Sequence, residues 1–148
     1  MNTEIIKNLE KIALNKTIPF CYECYKEAPT GRCNSCGSDD LMRLLRGEGC
    51  EFGLLWVIES LLLEALEPVD IKSAFQDSVT ECHPETTTVG WMTLDTISIL
   101  KEMDPVSWDI ARSEWESAEE ADGNIISFDH GSTYYWRSEV ESFIEREV

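Results

Sequence analysis

The sequence predicts an α+β protein in two parts. A small cysteine-rich head spans residues 1–46, and an acidic, mainly helical domain over 47–148 ends with a β-hairpin and a last helix. Three observations predict it. Four cysteines form two close pairs near the N-terminus. Downstream, apolar residues recur at helical spacing in several separate stretches. Charge is also divided unevenly: seven basic and six acidic side chains in the head, against five and 23 in the body, a balance of −18. Gly47-Glu48-Gly49, two glycines around a charge, marks the expected boundary.

At 148 residues and 43% apolar content, the chain has material for a real core. Its net charge of −17 argues against a generic nucleic-acid or anionic-membrane binder, because phosphate repels such a surface. The opening stretch MNTEIIKNLEKIAL carries Glu4 and Glu10 within its apolar pattern and does not read as a secretory signal. The longest apolar run, Leu54 to Leu66, is interrupted by Glu59 and Glu64 and is too short to span a bilayer. A soluble, cytoplasmic protein is expected.

In the head, Ile5, Ile6, Leu9, Ile12 and Ala13 follow Thr3 at helical spacing, which predicts an amphipathic helix capped by Thr3. Next come Cys21-Tyr22-Glu23-Cys24 and, with eight residues between, Cys33-Asn34-Ser35-Cys36-Gly37. A two-residue gap lets both thiolates of a pair face one ion, and the glycine after the second pair permits a tight positive-φ turn. Cys21, Cys24, Cys33 and Cys36 are therefore the expected ligands of one structural metal ion. Zinc is the expected metal, because thiolates are soft ligands and no open coordination position is evident. A redox CxxC needs a βαβ setting, which is missing here, and disulfides need an export route.

The stretch FCYECYKEAPTGRCNSCGSDDLMRL resembles a zinc ribbon, in particular the short rubredoxin-like ribbon attached to rubrerythrin-type proteins. The resemblance rests on the aromatic residue before the first knuckle, the Glu27-Ala28-Pro29 loop and Cys33-x-x-Cys36-Gly37, and covers about residues 18–45. It implies a metal-stapled module too small to hold itself together.

In the body, residues 54–66 predict a helix apolar nearly all round, either central to the fold or shared with a second copy across a dimer interface. Pro68 is expected at the first position of a second helix, closed by His83-Pro84. Thr86–Met92 reads as one strand, and Thr93 as the cap of a helix through Met103. Asp104-Pro105 restarts a helix that ends before Gly123. Ile125–Phe128 and Thr133–Trp136 form a hairpin around Asp129-His130-Gly131-Ser132, and Ser138-x-x-Glu141 is a capping box opening the last helix. The element order over about residues 68–136 resembles a winged helix. The helix that would read DNA, however, carries Arg112 among six acidic side chains, the wrong sign for phosphate.

No catalytic constellation emerges. Cys50, Cys82, His83 and His130 do not fall in a metal or nucleophile motif, and the acidic run Glu114–Asp122 reads as a solvated helix face. Trp115 within it is the candidate exposed anchor for a partner. The expectation is a non-enzymatic zinc protein that docks through acid on a protein partner with a basic surface, such as a nucleic-acid-handling protein. Phage- or plasmid-encoded DNA mimics are similar in charge alone. The alternative is a DNA-binding transcriptional regulator that uses the ribbon and winged helix together.

Overall fold

A computed structural model describes residues 2–147. It is an α+β structure of helices and small antiparallel sheets. The chain divides into two compact units: one runs to Pro68 and resumes at Ile126, and the other is Val69–Ile125. No helix among the described residues is long and apolar enough to cross a membrane.

The first unit begins with α1 (Asn2–Lys16), β1 (Ile18–Cys21), β2 (Lys26–Glu27), β3 (Met42–Leu45), β4 (Gly49–Glu51) and α2 (Leu55–Ala65). The four strands form a sheet in the order β2-β1-β3-β4. Facing pairs include Phe20 with Met42 and Leu44 with Cys50. The Arg43 guanidinium ties this sheet to the end of α1, donating to Thr17 Oγ1 at 2.9 Å and to the carbonyls of Leu14 and Thr17 at 3.1 and 3.0 Å. A cation on the last carbonyls of a helix satisfies acceptors that have no partner within the helix.

The boundary expected near Gly47 does not divide the chain. Gly47, at φ 85°, makes the tight turn between β3 and β4, inside the sheet. The core also crosses that point. Ile5, Leu9, Ile12 and Ala13 of α1 pack in one cluster with Val57, Ile58 and Leu62 of α2 and with Val140, Phe143 and Ile144 of α6 (Arg137–Glu147). The α1 pattern thus reads as expected, but Thr3 lies inside the helix and does not cap it. Nor is α2 buried all round, for Leu55 and Leu63 face solvent. At α6 the capping box is not formed: the helix starts at Arg137, whose Nε pairs with Glu141 Oε1 at 2.8 Å.

The second unit holds α3 (Ile71–Cys82), β5 (Thr86–Val89), β6 (Met92–Asp95), α4 (Thr96–Met103) and α5 (Pro105–Ala121). Pro68 lies ahead of α3, which Asp70 caps through the Ser73 N–H. Thr86–Met92 is not one strand. Gly90, at φ 62°, turns the chain, so β5 pairs with β6 from Thr86 opposite Asp95 to Val89 opposite Met92. Leu94 therefore belongs to a strand, and Asp95 caps α4 in place of Thr93. Asp104 caps α5, as the Asp-Pro restart predicts.

The sheet of a winged helix is not formed among the described residues. β5 pairs with β6, and the late hairpin of β7 (Ile125–Ile126) and β8 (Tyr135–Trp136) is a separate two-stranded sheet. A glycine turn gave the first strand a local partner, so the hairpin is left to pair with itself.

Two predictions follow from this packing. Leu62 is fully buried, so Leu62→Ala should destabilise the first unit by about 2–5 kcal/mol in denaturant melts. Asp104 is held below the usual carboxylate range by the hydroxyl and N–H of Ser107, and Asp95 by the N–H and hydroxyl of Ser98. A depressed folded-state value means the cap stabilises fully above about pH 4 and is lost as pH falls through that value. The melting difference between wild type and Asp104→Ala should therefore be complete at neutral pH and shrink on acidification below about pH 4.

Candidate metal centre

Cys21 ends β1 and Cys24 lies in the turn before β2, so strand pairing of Cys21 with Lys26 presents both thiols on one side of that turn. Phe20 and Tyr25 brace it edge to face, with ring centroids 5.3 Å apart. Tyr25 itself takes φ 54°, a left-handed conformation uncommon for a non-glycine residue. The second knuckle is a turn in which the Gly37 N–H donates to the Cys33 carbonyl at 2.9 Å. Gly37 sits at φ 72°, the conformation for which glycine at this position was expected. The Cys33 N–H donates to the Ser38 carbonyl at 2.9 Å, and Arg32 Nη1 to the Gly37 carbonyl at 3.2 Å.

The two knuckles converge. The sulfur atoms of Cys21, Cys24, Cys33 and Cys36 all lie within 4.8 Å of one another, and those of Cys21 and Cys36 are 3.7 Å apart. A tetrahedral ion with sulfur bonds of about 2.3 Å places its ligands about 3.8 Å apart, so this spacing fits a four-thiolate site. Cys21 and Cys33 are buried and Cys36 is exposed, which puts the cluster at the protein surface.

Electrostatics gives the cluster a use for a cation. The N–H groups of Cys36 and Ser35 bring the Cys33 thiol down to about 6. Hydrogen bonds with Cys36 and Cys33 push the Cys24 thiol up to about 12. Adjacent thiolates repel, so all four ionise together only around a central positive charge. Four protein ligands also close the coordination shell, which makes such a site structural.

Among the described residues this is the one group of three or more His, Cys, Asp or Glu side chains close enough to hold a metal ion. Cys50 faces Leu44 within the sheet, Cys82 ends α3, His83 caps that helix, and His130 sits in the hairpin loop at φ 60°. Sequence reasoning missed a cleft of about 310 Å³ in the first unit, lined by Trp56, Glu59, Asp129 and Tyr135 among others. Burial, Asp129 and Glu59 together raise the Tyr135 phenol. No motif announces this cleft, because its walls come from α2 and from the hairpin about 70 positions later.

Metal removal should be felt locally. Between residues 18 and 45 the buried apolar side chains are Phe20, Ala28 and two of the cysteines, too few to hold the segment. Chelation, or Cys33→Ser with Cys36→Ser, should strip hydrogen-exchange protection from residues 18–45. Helix α1 should keep most of its protection, since its apolar face lies in the helical core. Equal loss of protection in α1 would show that the ribbon and the helical core fold as one.

No protein-family profile matches the chain, and neither a curated protein nor a solved structure shows significant similarity to it.

Proposed function

We propose that the chain is a zinc-binding docking protein: one structural zinc ion on Cys21, Cys24, Cys33 and Cys36 folds the ribbon, and acidic surface engages a partner with a basic surface. Thiolate softness and the 3.7 Å sulfur spacing support zinc over harder cations. The observation that carries the docking role is unneutralised charge. The unit Val69–Ile125 holds thirteen acidic side chains against Lys72, Lys101 and Arg112. Among the described residues one of those carboxylates, Asp109, has an ion-pair partner, Arg112 at 3.4 Å. A field of this kind steers cationic surfaces toward the protein, and proteins that hold nucleic acid supply such surfaces.

A non-enzymatic regulator or inhibitor of a nucleic-acid-handling protein is the role that best uses these properties. A DNA-binding regulator fits less well. Its phosphate contacts would fall to the head, where Arg43 is committed to α1 and Arg46 to Glu27 at 3.0 Å.

The test is affinity capture from a lysate of the source organism at about 50 and 200 mM salt, with duplex DNA as competitor. A nucleic-acid-handling protein should be retained at the lower salt and displaced by DNA. Partners indifferent to both salt and DNA would overturn the electrostatic reading. A shift of duplex DNA by the purified chain itself would favour the DNA-binding regulator instead.

A further inference from the structure

The unit Val69–Ile125 buries little of its apolar content. Besides Ile125 at its end, its buried hydrophobic side chain is Phe75, with the Trp108 ring centroid 4.8 Å away and that of Trp115 at 6.0 Å. Trp115 is thus half-buried against Phe75 and is not the exposed anchor its sequence position predicted. Next to this aromatic cluster, α3, α4 and α5 leave a groove of about 390 Å³. Its walls include Phe75, Val79, Leu100, Met103, Trp108 and Ala111. Met103 is 80% exposed and Leu100 41%, and on the next turns of α5 Val106 and Ile110 are also open to solvent. Exposed apolar side chains gathered beside a groove are the feature by which interaction sites are recognised.

We infer that this groove seats a cationic amphipathic helix of the partner protein, its apolar face on Phe75, Leu100, Met103 and Trp108 and its charge complementary to Asp104 and to the net −10 of the unit. The inference rests on the docking role proposed above and names the surface and the partner chemistry. Charge selects the occupant. The unit carries net −10, and the other ionisable groups beside the groove are His83 in its wall and Lys101, whose Nζ lies 5.7 Å from the Trp108 ring centroid. Asp104 lies in the groove wall itself. A second copy of the chain would bring the same sign to the contact and be repelled, and so would an anionic membrane. A helix with Leu-type residues at i, i+3, i+4 and i+7 and Lys or Arg elsewhere satisfies both the apolar groove and the net negative charge of the unit. Met103 helps, because an unbranched thioether adapts to irregular partners.

The experiment uses the full chain with methyl-labelled methionine and an 18-residue peptide of leucine and lysine arranged as a two-faced helix. A peptide of the same composition with its leucines scattered serves as control. The two-faced peptide should bind and shift the Met103 methyl and Trp108 indole signals while leaving Met42 in place. Leu100→Gln with Met103→Gln, both at the surface, should weaken it by about tenfold or more with unchanged circular dichroism. Equal affinity for the scattered peptide, shifts centred away from Met103, or an unaltered affinity in the double variant would each overturn the groove assignment. So would a dimer in sedimentation that the double variant dissociates, since a second copy would then be the occupant. Lysate capture separates the two proposals. If the double variant retains the salt-sensitive partner as well as wild type does, the groove fails and the docking role stands. If wild type retains none, the docking role fails whatever the peptide does.

Discussion

Convergence of four sulfur atoms on one point is the constraint on which the N-terminal architecture depends. Between Ile18 and Leu45 the chain makes two knuckles and three short strands with Phe20 and Ala28 as its buried non-cysteine apolar residues. Hydrophobic burial of that size does not offset the entropy of ordering such a segment. Coordination of a metal ion by the four cysteines would, because it converts two separate pairs of backbone positions into a single rigid node. Once the node is in place, β1 aligns β3, and β3 carries Arg43 to the last carbonyls of α1. The ribbon is then joined to the helical core by specific hydrogen bonds as well as by chain connectivity.

The second unit follows a different physics. Its charge is high, its buried apolar residues are Phe75, with two tryptophans against it, and Ile125 at its end, and much of its apolar surface stays in water. Capped helix starts at Asp70, Asp95 and Asp104 supply local order that does not depend on a large core. A surface that is both apolar and strongly acidic suits recognition of a cationic, amphipathic partner, for which each property alone would be a weaker selector. The proposed function thus divides labour between a well-packed unit that carries the four-cysteine cluster and a lightly packed unit offered as the recognition surface.

Local signals were legible in the sequence, and long-range pairing was not. The cysteine spacing, the α1 apolar stripe, the Asp104-Pro105 restart and the turn at Gly47 all act within a few residues, and each appears in the structure. What Gly47 does depends on Leu44 facing Cys50, a pairing no local pattern reports, and so a sheet turn read as a domain boundary. Thr86–Met92 failed for a related reason. Its β-rich composition is genuine, but Gly90 at positive φ folds the run back on Leu94 and Asp95. The capping box at Ser138 is not formed because the helix already begins at Arg137, so Ser138 lies inside it. The groove beside Phe75 was hidden because its residues look like ordinary core positions on three helices, and only packing reveals that nothing in the unit fills the space between them.

The central claim, that a closed four-thiolate zinc site organises the N-terminal half, is tested most directly by X-ray absorption at the zinc edge on protein purified without chelator. One equivalent of zinc surrounded by four sulfur scatterers at about 2.3 Å is the predicted result. Nitrogen or oxygen in the first shell, or protein that folds with its 18–45 segment ordered and no bound metal, would contradict it.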